Sequence, residues 1–124
     1  MNNNLITNSA LSRVTSKNRA IVAMGYDNIE NTIVLSIGEG DKLPDPLIVG
    51  SYDLVWWNLS DYVNPANDPE VEIVKCIAKY GDTLMIIRSQ SGPVYSKNII
   101  GKTYSMVPMP TNNNENVSNN ISSL

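Results

Sequence analysis

Apolar and polar residues alternate in short runs along this chain, and the longest well-formed run is VEIVKCIAKYGDTLMIIRSQSG, residues 71–92. Two β-branched stretches, residues 71–78 and 83–88, flank a break at Lys79-Tyr80-Gly81-Asp82. Gly81 supplies the positive φ of a tight turn and Asp82 can bond its own backbone to close it, so the pattern predicts a β-hairpin. Ile73, Val74, Cys76, Ile77 and Ala78 face Leu84, Met85, Ile86 and Ile87 with little polar alternation. The pair is therefore expected to lie centrally, covered on both faces.

Shorter runs surround it. Residues 21–24 (IVAM), 32–37 (TIVLSI), 52–58 (YDLVWWN) and 101–107 (GKTYSMV) read as strands, with brief strands at residues 47–49 and 94–95. Gly38-Glu39-Gly40-Asp41, Leu43-Pro44-Asp45-Pro46, Asn64-Pro65, Asp68-Pro69 and Gly92-Pro93 punctuate them. No convincing helix is read. The expected fold is all-β, a small antiparallel barrel or sandwich of five to seven short strands with extended N- and C-terminal arms. The divisions are an N-terminal arm (residues 1–26), a β domain (27–110) and an Asn/Ser-rich C-terminal tail (111–124). Arms this polar lack the apolar area to order themselves.

Composition narrows the chemistry. The 124 residues contain no histidine and one cysteine, Cys76. That removes Cys/His zinc sites, imidazole-based nucleophile systems and any intramolecular disulfide. No apolar leader or bilayer-spanning run is read, so synthesis in a cytoplasm is expected, and the sequons at Asn58, Asn116 and Asn120 are taken as accidents of composition.

The net charge of −3 conceals a partition. Residues 1–26 carry Arg13, Lys17 and Arg19 and no acid; residues 27–72 carry ten acids against Lys42; residues 73–110 carry five bases against Asp82. Opposite charges on paired strands explain this, as does head-to-tail association of copies. The few bases are not interleaved with aromatics, which argues against nucleic acid.

Trp56-Trp57 sends adjacent side chains to opposite faces of a strand, so one indole belongs in the core and the other at a loop lip, a protein interface or a sugar-stacking platform. Tyr52, Tyr62, Tyr95 and Tyr104 could extend such a surface. The candidate interface is Trp56, Trp57, Tyr52, Tyr62 and Tyr95 with the basic arm residues Arg13, Lys17 and Arg19. Asp61, Asp68, Glu70 and Glu72 do not match an EF-hand and read as a solvated acidic loop. Gly38-Glu39-Gly40 lacks the Lys-Ser/Thr of a phosphate loop. Arg88 reads as a strand-end cation paired with a loop carboxylate or turn carbonyls. No catalytic, cofactor or metal residue is assigned.

Glu72-Ile73-Val74, Gly81-Asp82-Thr83-Leu84, then Ile86, Arg88, Gln90, Gly92 and Gly101 follow one another in an order and spacing that resembles a module common in tailed-bacteriophage structural proteins. Upstream, residues 32–37 with Gly40 and Leu43-Pro44 resemble its opening strand and loop, and residues 54–57 the strand leading to the acid. The resemblance covers about residues 31–107. Ser89 stands where Gly is usual, Pro93 where Thr is usual, and the His often found before the last Gly is missing.

The resemblance implies a non-enzymatic virion component, present as a homo-oligomer or in many copies, that binds capsid, fibre or tail subunits. A head-decorating or fibre-anchoring protein is expected ahead of a tail, neck or baseplate component. A carbohydrate-binding module is the expectation from another class.

Overall fold

The computed structural model describes residues 19–90 and 92–110. Six antiparallel strands form one sheet: β1 (Ala20–Ile21), β2 (Thr32–Val34), β3 (Tyr52–Asn58), β4 (Glu72–Tyr80), β5 (Thr83–Ile87) and β6 (Tyr104–Pro108). Their spatial order is β1-β6-β3-β4-β5-β2. The sheet curls into a half-barrel whose two outer strands meet: Val22 bridges Leu35, Ala23 N–H donates to Val34 O (2.9 Å), and Ser36 N–H donates to Ile21 O (2.8 Å). The small antiparallel all-β fold is as the apolar pattern predicts.

The hairpin is a two-residue turn, Gly81-Asp82, with Gly81 at φ 63°. Asp82 does not close that turn on itself. Its carboxylate reaches across to accept from Gly38 N–H (3.0 Å) and Gly40 N–H (2.8 Å), tying the hairpin tip to a 3₁₀ turn at Glu39–Lys42. These two bonds hold its carboxyl below the usual range. Gly40 lies so close to the Gly81 carbonyl that a Cβ there would collide with backbone.

Inside the curl, Ala20, Val22, Tyr26, Ile33, Leu35, Leu54, Trp56, Val74, Cys76, Leu84, Ile86, Tyr104 and Met106 make the main core. A second cluster, Val55, Trp57, Ile73 and Val107, lies on the opposite face of β3, β4 and β6 and packs with Leu59, Tyr62, Ala66, Val71 and Met109. Sheet face alternation explains both clusters, because Leu54 and Trp56 point in while Val55 and Trp57 point out.

Several expectations change. Residues 47–49 form no strand but belong to a single helical turn, α1 (Pro46–Val49), with Asp45 Oδ1 capping Leu47 N–H at 2.9 Å and Pro46 opening it. The arm drawn to residue 26 enters the core much earlier, at Ala20, Val22 and Tyr26. Residues 1–18 and 111–124 lie outside the described residues, and Arg13 and Lys17 with them. β4 is central, but the hairpin is covered on only one side beyond the second cluster: Ile77, Met85 and Ile87 are exposed. A register shift between Cys76 and Ala78 falls in that region.

Candidate functional site: a buried charge cluster under Trp56

Period-two alternation carries the inward face of β4 from Cys76 through Val74 back to Glu72, and that of β5 from Leu84 through Ile86 on to Arg88. Both charges are thus delivered to the end of the core. Glu72 is 1% exposed, and Lys97, arriving from the long β5–β6 connection, is also 1% exposed.

The carboxylate of Glu72 is saturated. Oε2 accepts from Arg88 Nε (2.7 Å); Oε1 accepts from Arg88 Nη2 (2.9 Å), Lys97 Nζ (2.8 Å) and, longer, Tyr95 N–H (3.3 Å). Arg88 also donates to the carbonyls of Asp27 (3.0 Å), Glu30 (2.7 Å) and Tyr95 (2.8 Å). All five guanidinium N–H donors are therefore used, in the bidentate fork that only arginine provides. Lys97 donates additionally to Tyr95 O (3.0 Å). Arg88 Cζ and Lys97 Nζ each lie 4.9 Å from the Trp56 ring centroid, within cation–π range.

Burial alone would raise the Glu72 pKa, but the hydrogen bonds from Arg88 and Lys97 outweigh it and hold the carboxyl below its ordinary value. Burial pulls the Lys97 ammonium down, opposed by Glu72. Two cations on one anion in a dry setting stand only while the carboxylate stays ionised.

A cleft of about 170 Å³ opens beside the cluster, lined in part by Asp61, Asp68, Glu70, Lys97 and Tyr104. Two of its carboxylates, Asp61 and Asp68, are engaged locally. Asp68 accepts from Asn58 N–H (2.9 Å) and Glu70 N–H (2.8 Å), and Asp61 pairs with Lys102 at 2.8 Å. The acidic loop read as solvated is therefore stitched to the sheet at Asp68, which is buried. Among the described residues, no group of three or more His, Cys, Asp and Glu side chains is placed to hold a metal.

The aromatic interface expected from sequence is not assembled as a surface. Trp56 and Trp57 are both fully buried, so neither offers a ring face to a sugar or a partner. Of the places expected for the second indole, the loop lip is the one found: the loop after β3 folds back over Trp57. Trp57 Nε1–H donates to Tyr62 O at 2.8 Å, and Tyr62 is half-buried in that loop. Tyr52 is half-buried with its hydroxyl on Pro44 O (2.7 Å), and Tyr104 is buried. Tyr95 is half-buried and works mainly through its backbone, with its ring 5.6 Å from Lys97 Nζ. Arg19 lies just before β1, where its carbonyl accepts from Lys42 Nζ at 3.4 Å.

Sequence reading placed Arg88 well, with a carboxylate and carbonyls as partners. It put Glu72 in the acidic loop and passed over Lys97. The signal for Glu72 was its even spacing from Val74 and Cys76; no comparable pattern marks Lys97.

No protein-family model matches the chain, and no curated protein sequence matches it.

Proposed function

We propose that this protein is an assembly module, a structural component of a tailed-phage virion that binds neighbouring virion proteins and is present in many copies. The observation that carries the reading is the direction in which its side chains are spent. The buried charges Glu72, Arg88 and Lys97 are consumed within the fold, whereas aliphatic side chains face outward. Leu47 and Ile48 are 89% and 82% exposed on the α1 turn, with Val49 beside them, and Ile77, Met85 and Ile87 are exposed on the hairpin. Exposed apolar groups on a small filled barrel suit contact with other proteins. Glu72 and Arg88, two of the charged positions in the resemblance to the phage module, bond each other directly, which supports the same reading.

The test is to raise an antibody to the purified protein and probe density-gradient fractions of phage particles from a lysate that contains it. Co-sedimentation with particles, at a stoichiometry of many copies, is the expected result. Recovery only from the soluble fraction would overturn the proposal. A Leu47→Asp, Ile48→Asp double variant is expected to fold normally and lose incorporation.

A further inference from the structure

The β5–β6 connection is long and forms no strand, and its described residues between Ser89 and Ser96 bury no apolar side chain completely. Val94 and Tyr95 are only half-buried. Among the described residues, what fastens this stretch runs mainly through Tyr95 and Lys97. Tyr95 gives its carbonyl to Arg88 and Lys97 and its N–H to Glu72. Lys97 gives its ammonium to Glu72 and exchanges backbone bonds with Tyr26 (2.6 and 3.0 Å). Apart from the Tyr26 bridge and the bond from Arg88 to the Tyr95 carbonyl, these ties to the rest of the fold converge on one carboxylate.

We propose that residues 92–97 form a strap locked over Trp56 by the Glu72 carboxylate, and that neutralising this one group opens the strap while the barrel stays folded. Without the anion, Arg88 and Lys97 are left as like charges close together in a buried setting. Arg88 keeps the carbonyls of Asp27 and Glu30 and stays in place. Lys97 has a long flexible stem and a route into the adjoining cleft, so its ammonium is the member that leaves, and Tyr95 is then held by Arg88 alone. Opening also admits water to Trp56, whose Nε1–H has no acceptor among the described residues in the closed form. The hairpin does not depend on the strap, since its strands are paired on both sides, β5 with β4 and β2 and β4 with β3; of the main core, the strap touches Tyr26 and Trp56.

The charged groups facing Glu72 are Arg88 from the end of β5 and Lys97 from the strap, and Asp68 from the loop before β4 acts on Lys97. Because Glu72 titrates below its ordinary 4.5, the lock is complete above that pH and fails as the pH falls through the lowered value.

The test is native-state hydrogen exchange by mass spectrometry on the full chain, read separately in peptides from residues 92–97 and from the hairpin. Glu72→Gln is expected to speed exchange in the strap by about a hundredfold with hairpin protection unchanged, and to make one of the two indoles quenchable by acrylamide. Unchanged strap protection, or equal loss in strap and hairpin, overturns the proposal. If Glu72→Gln does not fold, the unmodified protein is followed from pH 7 to pH 3 with rates corrected for intrinsic exchange. Loss of strap protection ahead of the hairpin supports the lock, and simultaneous loss overturns it. Lys97→Met leaves the Glu72–Arg88 pair intact and is expected to loosen the strap by about tenfold; no loosening counts against Lys97 as the moving member.

Discussion

Replacing Arg88 by lysine separates charge from geometry. Lysine keeps the positive charge but cannot span Glu72 and the carbonyls of Asp27, Glu30 and Tyr95 at once. Arg88→Lys is expected to cost about 2–3 kcal/mol, measured as a lowered urea midpoint with little change in slope. Gly40 poses a different constraint, because any side chain there meets the Gly81 carbonyl. Gly40→Ala is expected to destabilise by about 1–3 kcal/mol by the same measurement, the range for an overpacked site. Asp82, which holds the same junction through two backbone N–H groups, has its carboxyl pKa lowered from an ordinary 3.8. Its contribution is therefore present above that pH and is lost on acidification, and Asp82→Asn is expected to flatten the acid limb of the stability profile.

Among the elements, β3 coincides with the predicted run at residues 52–58, and the hairpin appears where Gly81 places it. Strong period-two pattern and turn chemistry made these legible, since both are local properties. The α1 turn was missed because Leu47, Ile48 and Val49 favour strands by propensity, while Asp45 and Pro46 supply a cap and an N1 residue that override them. The two tryptophans show the other limit. Their opposite facing follows from the strand, but the cover over Trp57 comes from a loop whose fold depends on distant partners, Asp68 on Asn58 N–H and Tyr62 O on the indole. Truncating Trp57→Ala should remove that cover's anchor and cost about 3–5 kcal/mol, with the chemical-shift changes confined to residues near the second cluster.

At the scale of the whole molecule, charge pattern gave a coarse guide only. The acid-rich middle and base-rich later part of the chain meet opposite each other on β3 and β4 at Asp53–Lys75 and in the side-chain ion pairs Glu72–Arg88, Glu72–Lys97 and Asp61–Lys102, so part of the partition is settled within the fold. The cluster beneath Trp56 could be half seen in advance: Glu72 and Arg88 continue the inward spacing of Val74, Cys76, Leu84 and Ile86, whereas Lys97 sits in a segment without periodicity and is found only in three dimensions. Possession of several exposed aliphatics on α1 and on the hairpin predicts concentration-dependent association. Light scattering across a dilution series is expected to show it for the unmodified protein and not for the Leu47→Asp, Ile48→Asp variant.

Pairing of Ala20 with Met106 sets β1 and β6 side by side, so the chain enters and leaves the sheet through neighbouring antiparallel strands. Such an arrangement suits circular permutation. A short Gly/Ser joint from Pro110 to Arg19, with new ends cut at the exposed Gly92-Pro93 step, should yield a topologically rewired protein with the same far-ultraviolet dichroism.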